Sequence, residues 1–249
     1  REKFSQDKLD RCISCGYCLP ACPTYKLTGN EESSPRGRIT LMRAVQNDKL
    51  PALDLLKESS FCLGCRACEP VCPAGVEYGV LLEEMRDITW QGKNRPLIIR
   101  GLFFIVDTKI GMWALGLFSP FAKRREANKD LHLMYGCFER RLFPSVSKAV
   151  AKLAPEVSCS SDQGCCGALH AHNGELEKGK EMAKALGKKL PGTILTTAGG
   201  CAAHLASVIG DERVQEFSQW WVKRDIKLSP IMKNGKAIRV GLQDSCHLR

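Results

Sequence analysis

Apolar and polar positions alternate with two different rhythms along this chain. In the N-terminal third, apolar residues recur every three or four positions in short stretches. Phe4 to Asp10 reads as a short helix. Ser34 followed by Pro35 is an N-cap and first-turn pair, and Ile39, Leu41, Met42 and Val45 continue as a helical stripe. Pro51 to Ser60 reads as another short helix. Gly75 to Trp90 reads as a third, with Leu81, Leu82, Met85 and Ile88 facing inward and Gly92 as its stop. Leu97 to Ala122 is the most apolar stretch. Arg100, Asp107 and Lys109 interrupt it, and its longest uncharged run, Ile110 to Ala122, is too short to span a bilayer. It reads as two packed helices joining two domains, with a docking face for a partner subunit or a membrane surface as the sharper alternative. The run KRREANKD at 123–130 is a charged boundary.

From Leu131 the rhythm changes. Short apolar runs end in cysteine or glycine, and helical segments follow. LHLMYGC ends at Cys137, before a helix around Ser145 to Leu153. Glu156 to Ser160 reads as a short strand leading to DQGCCGALH. GTILTTAGGC ends at Cys201, and the helix HLASVIG follows. AIRVGLQDSCH ends at Cys246 and His247. Repeated strand–turn–helix units predict an α/β region with a mostly parallel sheet. The expected organisation is α+β overall: a helical domain over 1–95, connecting apolar helices over 96–130, and an α/β domain over 131–249.

The cysteines give these elements a purpose. Cys12, Cys15, Cys18 and Cys22 are spaced C-x2-C-x2-C-x3-C-P, and Cys62, Cys65, Cys68 and Cys72 repeat the pattern, with Pro73 matching Pro23. This is the bacterial ferredoxin spacing for [4Fe–4S] clusters, in which the cysteine before the proline ligates the other cluster. The expected sets are Cys12, Cys15, Cys18 and Cys72 for one cluster, and Cys62, Cys65, Cys68 and Cys22 for the other. Zinc sites or disulfides are the alternative, but zinc knuckles do not show three cysteines and then C-P twice. Gly16 and Gly64 are small where backbone passes near the inorganic core. The helical domain is therefore a bis-[4Fe–4S] ferredoxin domain. Arg36, Arg38 and Arg66 are candidates for tuning a cluster or contacting an electron partner, against the commoner roles of solvation or local pairing.

A second constellation lies in the α/β half. Cys137, Cys165, Cys166 and Cys201 fall at the carboxyl ends of strands or the starts of helices, where open α/β sheets build sites. Adjacent Cys165 and Cys166 rarely close on each other but suit one large ligand, so these four form a candidate third cluster site. His170, His172 and His204 lie near in sequence, although a lone histidine is more often a hydrogen-bonded surface residue than an iron ligand. Cys159 has no assigned role.

Composition adjusts this picture. The 249 residues are 44% apolar and 26% charged, as in a soluble globular protein of one or two domains. Fourteen cysteines without an apolar leader point to metal binding in a reducing, cytoplasmic compartment, with the inner membrane face as a peripheral docking surface. The formal net charge of +10 counts cysteine as neutral. Each oxidised cubane with four thiolates carries about −2, so two clusters lower the total to about +6 and three to about +4. That modest excess suits an acidic partner or an anionic membrane. No basic–aromatic interleaving or helix-turn-helix pattern points to nucleic acid. No G-x-G-x-x-G follows a strand and no P-loop is present, so the chain reads as an electron carrier without a nucleotide or flavin site of its own.

The stretches CISCGYCLPACPTY, SPRGRITLMRA, CLGCRACEPVCPAGVEYG, GCCGAL, GGCAAHL and DSCHLR spread across nearly the whole chain. Together they resemble the iron–sulfur subunits of glycolate oxidase and related lactate and glycerol-3-phosphate oxidoreductases. The resemblance implies a cysteine-rich, or CCG, domain in the C-terminal half, with Cys137, Cys165, Cys166 and Cys201 filling its first module. It also implies an FAD-containing partner subunit that oxidises a 2-hydroxy acid, with a quinone or another acceptor taking the electrons. Heterodisulfide reductases are relatives with C-x2-C after the CCG, where this chain has His204 three residues after Cys201. A thiol–disulfide reductase is accordingly the runner-up, and a non-redox scaffold holding structural metal is third. The chain begins at Arg1 rather than Met and stops three residues after Cys246, before a second CCG, so a truncated or short variant is expected.

Overall fold

The computed structural model describes residues 3–108, 110, 111, 113, 128–160, 163–224, 229–239 and 241. The chain forms two compact units that do not follow chain order. One comprises residues 1–117 with 167–183, the other 118–166 with 184–249.

The first unit is built from α1 (Gln6–Asp10), α2 (Pro23–Thr28), α3 (Pro35–Gln46), α4 (Leu56–Phe61), α5 (Tyr78–Thr89) and α6 (Leu97–Asp107). α3 starts where its sequence says. Ser34 has extended backbone, its hydroxyl accepts from the Gly37 N–H at 3.0 Å, and Pro35 occupies the first turn. Ile39, Met42 and Val45 point inward and meet Leu81, Leu82 and Met85 of α5, with Phe4, Leu9 and Leu55 closing the core. Burying each such side chain contributes about 1.5–3 kcal/mol.

Two helix boundaries differ from expectation. Gly75 takes φ +61 and forms a turn, so α5 starts only at Tyr78. It ends at Thr89, because Trp90 leaves helical geometry while its indole N–H donates to the Ser59 hydroxyl at 3.0 Å. Gly92 opens a separate 3-10 turn, Gly92–Asn94. The stretch from Pro51 resolves into a 3-10 turn, Ala52–Leu55, followed by α4. On α6, Phe103 is buried while Leu97, Ile98 and Phe104 are exposed. The second expected helix of the apolar stretch lies largely outside the described residues, as do residues 123–127 of the charged boundary. Among the described residues no helix is long and apolar enough to cross a membrane.

In the second unit, β1 (Leu131–Met134), β2 (Thr193–Thr196) and β3 (Val214–Glu216) form a parallel sheet in that order, with Leu133 opposite Leu195 and Leu195 opposite Gln215. Leu133, Met134, Ile194 and Leu195 are buried, as parallel strands covered by helices require. The helix Pro144–Leu153 contributes Val150 to a core with Leu133, Tyr135, Val157 and Leu195, flanked by Phe217, Trp220 and Trp221.

The expected strand at Glu156 to Ser160 is only a bridge between Ser158 and His132. Beyond the two backbone bonds of that bridge, a side chain continues the pairing along β1. The Gln163 amide accepts from the Tyr135 N–H at 2.8 Å and donates to the Leu133 carbonyl at 2.6 Å, imitating a strand's two bonds. β3 was not foreseen, being three residues long with one apolar position. Of the expected C-terminal strand, Ala237 ends β5 (Lys236–Ala237), which pairs antiparallel with β4 (Met232–Lys233). Asn234 and Gly235 turn between them with φ +52 and +73, the two positive angles of a type I′ hairpin. Cys246 and His247 lie outside the described residues.

Candidate metal centres

The two cysteine runs of the first unit bend by one shared device. Ser14 and Gly64, two residues after the first cysteine of each run, have φ +57 and +67. Gly16 and Arg66, directly after the second cysteine, have φ +89 and +55. Left-handed residues at matching places curl both loops the same way, a conformation glycine adopts without cost and other residues only with strain. At Gly16 the missing Cβ also admits a neighbour. A Cβ there would stand 2.7 Å from the Arg36 guanidinium.

These loops gather the cysteines into two crossed sets. Cys12, Cys15, Cys18 and Cys72 wall a cavity of about 420 Å³. Cys22, Cys62, Cys65 and Cys68 wall a second of about 300 Å³, together with Thr24, Arg38 and Tyr78. Cys68 and Tyr78 line both cavities. The first cavity thus draws three cysteines from the first run and Cys68 and Cys72 from the second, and the second draws Cys22 from the first run and three from the second. Soft sulfur donors around a concave space of this kind fit an iron–sulfur cluster. Burial lifts the Cys18 thiol above its ordinary range. Burial does the same more strongly for Cys68, with Glu69 and Cys62 adding to it. Without metal these thiols keep their protons, and ligation has to displace them.

The three arginines singled out in the sequence are all paired. Arg36 holds Glu31 at 2.5 Å and donates to the Ser14 carbonyl at 3.0 Å. Arg66 holds Glu69 at 2.7 Å. Arg38 is unusual in being buried, 3.0 Å from an equally buried Glu58, with its guanidinium also donating to the Thr24 hydroxyl and the Glu58 carbonyl. Sequence reasoning missed two further groups. The Tyr78 hydroxyl lies 3.7 Å from Cys62 Sγ, and the Thr24 hydroxyl lies 3.2 Å from Cys22 Sγ. Burial holds the Tyr78 hydroxyl firmly protonated. Arg86, also unforeseen, donates to the carbonyls of Cys62 at 2.7 Å and His172 at 2.9 Å.

In the second unit the other four thiols meet in pairs. The Cys165 thiol approaches Cys137 Sγ at 3.8 Å, and Cys166 approaches Cys201 Sγ at 3.1 Å. Cys137 follows β1 and Cys201 sits in the first turn of the helix Gly199–Ile209 after β2, so adjacent parallel strands deliver both to one edge. Hydrogen bonding to the neighbouring thiol, then burial, pushes Cys137 and Cys166 well above the usual thiol range. Gly167 completes the CCG run with φ +85, and a Cβ there would collide with the Gly179 carbonyl oxygen at 2.2 Å.

Cys159 belongs to the apolar core, its thiol donating to the Val157 carbonyl. The histidines have carboxylate or helical settings. His170, expected at the surface, is buried between Asp107 (2.9 Å) and Glu175 (2.8 Å). His172 meets Glu83 at 2.6 Å. His204 is buried in the helix Gly199–Ile209. Asp107, His170 and Glu175 offer metal-ligand chemistry. Their charge is met by Lys178, 2.7 Å from Asp107 and 3.2 Å from Glu175, and by Arg95, 2.7 Å from Glu175.

The 4Fe-4S dicluster domain family matches residues 8–76, and the cysteine-rich domain family, CCG, matches residues 131–206. A Bacillus subtilis (strain 168) protein named "Probable glycolate oxidase iron-sulfur subunit" is 32% identical over 325 aligned positions, covering 100% of this chain and 73% of the relative. The chain belongs to the family of glycolate oxidase iron–sulfur subunits. As a member of that family it is an iron–sulfur protein with a ferredoxin-type domain followed by a CCG domain. The glycolate oxidase iron–sulfur subunit of Escherichia coli (strain K12) is 31% identical over 79% of this chain and 58% of its own length. The alignment to the Bacillus subtilis subunit has more positions than this chain has residues, so that relative carries inserted residues that this family member lacks. A dihydromethanophenazine:CoB–CoM heterodisulfide reductase subunit from Methanosarcina acetivorans is 24% identical over 97% of this chain and 69% of its own length. No solved structure matches.

Proposed function

We infer that this chain is the electron-transfer subunit of a flavin-dependent 2-hydroxy-acid oxidoreductase that converts glycolate to glyoxylate. Cys12, Cys15, Cys18 and Cys72 hold one [4Fe–4S] cluster, and Cys22, Cys62, Cys65 and Cys68 hold the second. Cys137, Cys165, Cys166 and Cys201 hold a third. When bound, such clusters supply one-electron carriers between a two-electron donor and its acceptor. The protein's part is to place and shield them. Tyr78 and Cys68 form the wall between the first two cavities. The Arg38–Glu58 pair brings charge into the core without leaving it unbalanced. An FAD-containing chain performs the oxidation, and a quinone at the cytoplasmic membrane face takes the electrons.

The observation that carries this reading is the crossing of the two cysteine runs into adjacent cavities with a shared wall. Iron and acid-labile sulfide after anaerobic purification, with EPR of the dithionite-reduced chain, test it. About twelve irons are expected for three cubanes, and about eight leave only the ferredoxin pair. Zinc in place of iron, or failure to form a complex with any flavoprotein that glycolate reduces, overturns it.

The converging thiol pairs of the CCG region favour one second reading, a thiol–disulfide reductase, which the likeness to the Methanosarcina heterodisulfide reductase also supports. His204 counts against it, standing where the second cysteine of a C-x2-C would be. Disulfide-dependent turnover by the isolated chain decides between the two.

A further inference from the structure

We propose that Tyr78 makes the centre walled by Cys22, Cys62, Cys65 and Cys68 the stronger electron acceptor of the ferredoxin pair, by donating its hydroxyl hydrogen bond to Cys62 Sγ. The proposal rests on the cluster assignment above and adds a direction to it.

Tyr78 opens α5 and is buried, with its side chain on the wall of both cavities. Its hydroxyl reaches only one of them, 3.7 Å from Cys62 Sγ. As a cluster ligand Cys62 is a thiolate with no proton to give, so the hydroxyl is the donor. A hydrogen bond to a ligand sulfur draws electron density from it and favours the reduced cluster. The other sulfur contact on this side is weaker. Thr24 has a single hydroxyl proton, and the Ser33 carbonyl claims it at 2.7 Å.

The first centre has a backbone donor, the Arg36 N–H toward Cys18, but no side-chain counterpart. Among the described residues no side chain hydrogen-bonds to the sulfur of Cys12, Cys15, Cys18 or Cys72. Arginine charge is placed alike at the two sites: Arg36 and Arg38 are each held by a carboxylate, Glu31 and Glu58, and one further guanidinium donates to the carbonyl of the first cysteine of each run, Arg43 at Cys12 and Arg86 at Cys62. Among the described side-chain donors to sulfur, the Tyr78 hydroxyl is what distinguishes the second site. With both clusters bound, Tyr78 would favour an electron on the second centre, which would be reduced as the first is reoxidised. No proton or further reactant is needed.

The test is an EPR-monitored redox titration of the full chain, purified anaerobically. Wild type shows two ferredoxin-type midpoints. Tyr78→Phe lowers the higher one, moving the electron-sharing ratio between the centres by about tenfold, which for a one-electron couple is about 59 mV. The other midpoint stays in place. Site-specific 3-fluorotyrosine at position 78 keeps the shape and strengthens the donor, so the same midpoint rises. The fluorinated chain therefore decides the matter even where Tyr78→Phe loses a cluster. A loaded chain whose higher midpoint moves with neither substitution overturns the role of Tyr78 alone. A wild-type chain holding no cluster overturns the assignment beneath it as well.

Discussion

Between Cys12 and Cys22, and again between Cys62 and Cys72, the cysteines have two or three residues between them, on loops that curl by left-handed residues at matching positions. Between Cys137 and Cys201 the adjacent pair Cys165–Cys166 stands tens of residues from either end, and the set is spread over separate elements. The first arrangement is local. Three sulfurs of each set are placed by one short loop, and only the fourth depends on tertiary packing. The second arrangement depends on β1 and β2 being parallel neighbours, so that the segments after them share an edge. Local motifs survive small errors of packing, whereas an assembled site inherits every error of the sheet beneath it. The two regions therefore differ in how they fail.

The largest effect is expected from breaking the crossing in the first unit. Cys72→Ser should remove about four irons and abolish the same EPR signal as Cys15→Ser, although Cys72 lies in the other run. Loss of the signal that Cys65→Ser removes would instead mean that each run serves its own cluster. In the second unit Cys166→Ser should lower the iron count and leave both ferredoxin signals intact, while Cys159→Ser, in the apolar core, leaves all iron in place.

Next in size is the buried ion pair. Arg38→Met leaves buried Glu58 with only the exposed Lys57, 3.9 Å away, to balance its charge, at a cost of about 3 kcal/mol in the urea unfolding of the chain. Arg38→Met with Glu58→Met should recover most of that loss. If the single and double variants unfold alike, the pair's burial is not what holds α3 to α4.

Gly167→Ala forces a non-glycine residue into φ +85 against the Gly179 carbonyl, for about 2–3 kcal/mol. Because Gly167 directly follows Cys166, iron at the CCG set should fall while the ferredoxin signals persist. Unchanged iron would show that the assembled site tolerates more distortion than its construction implies. The smallest effect is expected from Ser34→Ala, which removes the cap of α3 for about 1 kcal/mol without altering any cluster signal.

Several features are legible in the order of residues. Cysteine spacing points to two crossed sets, because ligand order along a short loop is itself the geometry. The Ser34–Pro35 cap and the Ile39–Met42–Val45 stripe place α3, since capping and helical periodicity act within a few residues. Short apolar runs ending in cysteine announce β1 and β2. Other features are decided by partners distant in sequence. Gln163 continues the pairing along β1, and nothing in a lone glutamine signals that. β3 exists because β2 offers it an edge, not because three residues favour extension. Arg38, singled out by sequence only for its nearness to the cysteine runs, is buried because Glu58 arrives from α4 to meet it. His170 lies between two carboxylates that α6 and the chain after Gly174 bring to it. The contact of Tyr78 with Cys62 likewise requires the start of α5 to close over the second loop. Spacing and periodicity are properties of neighbouring residues and can be read from order alone. Burial, pairing and the choice of which sulfur receives a hydrogen bond depend on which distant segments meet, and only the folded chain determines that.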